Sequence, residues 1–150
     1  MDDALLAELE ATLAKHMPIC TAMELGVEGW DGERLAMSMP LEPNRNHQYS
    51  AFAGSLSALC TITGWGTVFM LLKQKGYDGN IVIRRSTIRY RRPVVERKFV
   101  ARGLPLESDC LKYFFELMES KNRSKIDVSV EIADDDGPFV TFTGSYVVQD

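Results

Sequence analysis

The sequence predicts an α+β domain in which an antiparallel sheet curls around one long buried α-helix, and three observations carry that prediction. From Gln48 to Leu72 the chain runs 25 residues without a charged side chain, broken only by Gly54, Gly64, Gly66 and scattered Ser and Thr. Segments on both sides alternate: Leu35, Met37, Met39 and Leu41 with Ala36, Ser38 and Pro40, and Ile126, Val128, Val130 and Ile132 with Asp127, Ser129 and Glu131. Period-two alternation marks strands with one buried face. Phe139 to Val148 continues the pattern, and Ile81 to Val95 and Phe99 to Leu106 are rich in β-branched and aromatic residues. The sheet therefore has one apolar and one wet face, as antiparallel sheets commonly do.

The uncharged run is long enough to cross a bilayer, which takes about 20 apolar residues. Its polar content argues for the protein interior instead. Ser50, Ser55, Ser57, Thr61, Thr63 and Thr67 are spread along it, with no signal-peptide pattern, second span or asymmetric basic flank nearby. A helix apolar on every side is otherwise found at the centre of a domain.

The 150 residues are expected to form one domain, since no linker, repeat or low-complexity tract divides them. A formal charge of −4 gives no general attraction to nucleic acid or anionic lipid. Cys20, Cys60 and Cys110 are odd in number and widely spaced, which fits free thiols in a reducing cytoplasm. With only His16 and His47, and no clustered thiols, no metal site is expected.

In chain order, Asp3 can cap a helix whose Leu6, Leu9 and Leu13 recur at helical spacing, and Pro18 closes it. Strands over Met23 to Trp30 and Glu33 to Leu41 meet at Asp31-Gly32, a hairpin dipeptide. A polar loop from Glu42 to Ser50 leads into the long helix, which Gly76 and Asp78-Gly79 end. Ser108 or Asp109 can cap a short helix with Leu111, Phe114, Phe115 and Met118 on one side, and two final strands meet near Asp136-Gly137.

The segments Pro43-Asn44-Arg45-Asn46-His47-Gln48-Tyr49-Ser50-Ala51-Phe52-Ala53-Gly54-Ser55-Leu56 and Thr87-Ile88-Arg89-Tyr90-Arg91-Arg92-Pro93 resemble a hotdog-fold thioesterase. In particular they are similar to the thioesterase domain that some bacteria carry C-terminal to an acetyltransferase domain, itself like the phenylacetyl-CoA thioesterase group. The resemblance spans Met17 to Val148. It implies the hotdog fold, an antiparallel sheet wrapped around the central helix. It also implies an Asn, here Asn46, ahead of a Gly-Gly pair whose second member is Gly54. The sequence departs from that pattern at Tyr49 for a loop Gly, Phe52 for a common His, Ala53 for the first Gly and Thr61 for the catalytic carboxylate.

Thioester hydrolysis needs a polarised carbonyl and a placed water. Backbone amides at a helix start supply the first, and Gly54 and Ser55 are the expected donors. Asn46 can hold the thioester oxygen or the water, or it can form a turn. His47 is the one nearby side chain able to act as a base at neutral pH without a large shift, unless it is an exposed loop residue. Thr61 follows Gly54 by two turns and can orient water, or bond a helix carbonyl. Apolar side chains of the helix, Phe52, Leu56 and Leu59, are expected to receive the acyl chain.

Between Arg84 and Arg102 stand seven Arg and one Lys against a single acid, Glu96. Arg forks suit phosphate oxygens. By resemblance Arg89, Arg91 and Arg92 would hold the nucleotide end of coenzyme A, and otherwise they form a solvated strand face. The stripe keeps single-stranded nucleic acid open as a rival partner, disfavoured because only Tyr90 is interleaved.

The expected activity is thus hydrolysis of an acyl-CoA or acyl carrier protein thioester, with no membrane partner and no cofactor beyond the coenzyme A of the substrate. The resemblance implies a homodimer, with a tetramer as the larger alternative, and an active site at the two-fold interface. A non-catalytic acyl-thioester carrier and an acyl dehydratase relative are the other classes in view.

Overall fold

The computed structural model describes residues 3–149. Helix α1 (Asp3–His16) and a single turn α2 (Ile19–Ala22) precede the hairpin of β1 (Gly26–Trp30) and β2 (Leu35–Pro40). A 3-10 turn (Glu42–Asn44) and a loop lead into α3 (Ala53–Gln74), followed by β3 (Asn80–Tyr90), β4 (Lys98–Gly103), α4 (Ser108–Lys121), β5 (Ser124–Asp134) and β6 (Gly137–Gln149). The six strands form one antiparallel sheet in the order β1-β2-β4-β5-β6-β3.

The strands carry the alternation seen in the sequence, and their buried positions face α3. Met37, Met39, Phe99, Val128, Val130 and Ile132 are all sealed. By length and hydropathy α3 would pass for a membrane span, yet 78% of its most apolar window is buried inside the fold. Leu9 and Leu13 of α1 belong to the same core.

Two glycines set how closely α3 approaches its neighbours. A Cβ on Gly64 would stand within van der Waals overlap of the Tyr146 ring and hydroxyl, and one on Gly66 would meet Leu35. The Tyr146 hydroxyl, fully buried with its side chain, donates to Thr61 O at 2.7 Å.

Several element boundaries differ from expectation for local reasons. The strand expected to reach Val95 stops at Tyr90. Beyond it the N–H groups of Arg91 and Arg92 both turn to Phe139 O, and Pro93 has no N–H to offer. Neither Ser108 nor Asp109 caps α4, whose N-cap position is Glu107 without a side-chain bond. At the β1–β2 turn the Asp31 carboxylate does more than the hairpin dipeptide predicts. It accepts from Glu33 N, Arg34 N and Arg34 Nε, while Gly32 takes a φ of +100°.

Strand β3 is one of the two sheet edges, opposite β1, and pairs only with β6. Its side chains are open nearly throughout, including Val82, Ile83 and Tyr90.

Gly64→Ala should lose about 1–3 kcal/mol of stability from overpacking against a ring that cannot retreat. Urea unfolding would measure it, and adding Tyr146→Phe should recover part of the loss by removing the nearest clashing atom. Full additivity of the two changes would refute the close approach.

Candidate active site

The loop before α3 is held by its asparagines. Asn44 is buried and its Nδ2 donates to Met23 O and Pro40 O, both at 2.9 Å, while its own carbonyl accepts from Phe52 N. Asn46 closes the loop on itself. Its Oδ1 accepts from Gln48 N and Ser50 N, and its Nδ2 donates to Ser50 Oγ at 2.9 Å. The turn-forming alternative is therefore the one the geometry displays, with one Nδ2 hydrogen to spare. Tyr49, where the family resemblance implies a loop Gly, takes a φ of +61°, the left-handed region that glycine enters without strain. The Arg45 guanidinium lies 4.5 Å over its ring. His47 is exposed at the loop tip.

At the start of α3 the donors differ from those expected. Ser55 is buried and its N–H is already committed to Phe52 O at 2.9 Å, as is that of Leu56 at 3.1 Å. The N–H groups of Ala53 and Gly54 precede any intrahelical partner and have no other acceptor among the described residues. They are the two free donors, at the positive end of a 22-residue helix. Phe52, more than half exposed, folds its ring against Gly54, where any Cβ would collide with it. Tyr90 at the end of β3 reaches the same spot, its hydroxyl 3.4 Å from Ala53 O.

One stripe of α3 stays partly open. Gly54, Ser57, Ala58, Thr61 and Trp65 follow the three- and four-residue spacing of a helix face, beside the unpaired edge of β3. Trp65 Nε1 donates to Ile81 O at 3.1 Å, which ties the stripe to that edge. The Thr61 hydroxyl bonds no helix carbonyl, unlike Thr63 and Thr67, which bond Leu59 O and Thr63 O. Thr61 lies about 10 Å along the axis from Gly54, so the two cannot meet at one carbonyl within a single chain. Leu56 and Leu59 sit in the closed core. Cys60 is sealed there too, and burial pushes its thiol up to about 12, leaving it protonated and inert.

The basic segment divides. Arg92 is tied down: Nη2 bonds Asp134 Oδ1 at 2.5 Å and Gly137 O at 2.6 Å, with the guanidinium 4.0 Å over the Phe139 ring. It staples the β5–β6 hairpin. Arg89 and Arg91 are exposed and have no ion-pair partner among the described residues. Two residues the sequence reading left outside the site, Ser50 and Tyr90, join it through contacts to Asn46 and Ala53. The tyrosine contact bridges 37 positions, so no local pattern could disclose it.

A six-stranded antiparallel sheet wrapped on a buried helix, with free amides at the helix start, is the hotdog fold of the thioesterases. The chain belongs to the YiiD_C putative thioesterase family (yiiD_Cterm), whose model matches residues 6–150. Among solved structures it is similar to a protein of unknown function from Chlorobaculum tepidum, with 28% identity, a TM-score of 0.93 and coverage of 99% of this chain and 96% of that one. A putative thioesterase from Shewanella oneidensis has 27% identity and a TM-score of 0.85, with 99% of both chains covered. The PaaI protein of the Escherichia coli phenylacetic acid degradation operon shares the fold at 12% identity and a TM-score of 0.67, over 100% of this chain and 97% of that one.

The Arg92 guanidinium holds the Asp134 carboxyl below its ordinary range. A depressed carboxyl contributes stability above its unfolded pKa of about 3.9 and loses it as pH falls through the lower folded value. Asp134→Asn should therefore lower Tm near neutrality and converge on the unmodified protein toward about pH 2. A constant gap across that range would dismiss the ion pair as the cause.

Proposed function

We propose that this thioesterase-family chain hydrolyses an acyl-CoA or acyl carrier protein thioester as a homodimer, with the Ala53 and Gly54 amides binding the developing oxyanion. The observation that carries the reading is those two unpaired donors at the exposed start of α3, beside an unpaired strand edge. Water adds to the thioester carbonyl, the oxyanion forms at the two N–H groups, and the C–S bond breaks to give the acid and a thiolate that takes up the proton.

Dimerisation supplies what one chain lacks. A two-fold axis through the middle of β3 pairs that strand with its copy and covers Val82 and Ile83, two exposed apolar side chains on an edge strand. Tyr90 lies at Ala53 and Ile81 lies at Trp65, so the axis sets the second copy's Trp65 level with Ala53. Thr61 of the second copy then stands about level with Ser57, one turn from Gly54. There its free hydroxyl orients the attacking water without serving as its base. Arg89 and Arg91 remain available for the phosphates of coenzyme A. A cytoplasmic setting accords with three unpaired thiols.

A non-catalytic acyl-thioester binder is the second reading, favoured by one observation: the open stripe of α3 carries Thr61 where a carboxylate would supply a base. Thiol release from a panel of acyl-CoA lengths separates the two.

Ala53→Pro is the decisive variant. Proline is well suited to the first helical position, and Phe52 before it is already extended at φ −64° and ψ 132°. The substitution deletes one donor with the helix intact. It should cut kcat about 100-fold with little change in Tm; undiminished turnover would remove the oxyanion role. In parallel, Val82→Lys with Ile83→Lys should yield monomers by light scattering and abolish activity, whereas active monomers would sink the shared site.

A further inference from the structure

A second cluster of cations lies away from the helix start. The C-terminal end of α4, the first residues of β5 and the middle of β3 enclose a cleft of about 350 Å³, lined by Arg84, Lys121, Arg123 and Lys125 together with Tyr113 and Ser124. The chain carries more acids than bases, 21 against 17, yet no acid lines this cleft. None of the four cations has an ion-pair partner among the described residues.

The backbone brings these cations together. The β3–β6 register slips between Ile83 and Arg85, which makes Arg84 the extra residue of a bulge. Bulges re-aim side chains, and this one brings Arg84 to the cleft beside Lys125. Asn122, left-handed at φ 56°, ends α4 and turns the chain so that Lys121 and Arg123 flank the opening from either side of it. The carboxyl end of α4 carries only about half a negative charge, too little to balance four cations. Asp127 lines the adjoining hollow, which shares Arg84 and Lys125, and there accepts from Ser145 Oγ at 2.6 Å.

We propose that this cleft is an anion site that binds a phosphate group, held by Arg84, Lys121, Arg123 and Lys125. The group can come from a free phosphorylated metabolite or from a larger ligand such as coenzyme A. The site stands apart from Arg89 and Arg91 and does not depend on thioester hydrolysis.

Calorimetric titration with inorganic pyrophosphate at fixed ionic strength tests it. Binding to the unmodified protein should weaken about tenfold or more in Arg123→Gln with Lys125→Gln, with Tm retained. Lys15→Gln, exposed on α1, should leave it unaltered. Coenzyme A competing with pyrophosphate assigns the phosphate to the larger ligand, and lack of competition assigns it to a free one. No pyrophosphate binding above that of chloride, or full affinity in the Arg123 and Lys125 double variant, would overturn the site. Either result leaves the thioesterase reading untouched, since that rests on kcat of the Ala53 variant.

Discussion

A helix that stays uncharged from Ala53 until Lys73 offers water almost nothing, and the rest of the chain is arranged to cover it. Burying it is inexpensive because its polar atoms are satisfied within. Thr63 and Thr67 return their hydroxyls to carbonyls one turn back, at 2.7 and 2.8 Å. Its glycines remove side chains where Tyr146 and Leu35 press closest. The sheet then needs only alternating apolar residues to close over three sides, with α1 over part of the remainder.

What the wrapping leaves open is one face of α3. The uncovered stripe from Gly54 to Trp65 lies beside the one long strand that has no second neighbour in the sheet. A buried rod with all its flanks sealed would be a stable core with no function. Leaving one flank exposed makes the helix start reachable and leaves Val82, Ile83 and Tyr90 of the neighbouring strand uncovered. Stability and site thus compete for the same helix, and the small residues Ser57, Ala58 and Thr61 mark where packing yields to access.

The architecture was legible because its signals are local: a 25-residue uncharged run and period-two strands need no knowledge of partners. The site was legible only in part. Gly54 follows from the position of the helix start, but which amides stay free depends on the first turn, where Phe52 O takes Ser55 and Leu56. Leu56 and Leu59 have spacing compatible with a pocket wall, and only the sheet position shows that they face inward. Arg92 reads as a surface cation until Asp134, 42 residues later, folds beside it. Asn46 has two roles open to it in the sequence, and its loop bonds display one of them.

The three cysteines have unequal accessibility with a practical consequence. Cys20 and Cys60 are enclosed, whereas Cys110 is open to solvent on α4, at the border of the hollow formed by Arg84, Arg85 and Lys125. A maleimide dye would therefore attach at a single point without mutagenesis. Its emission would follow ion occupancy near that helix in real time, giving the native polypeptide a built-in optical handle.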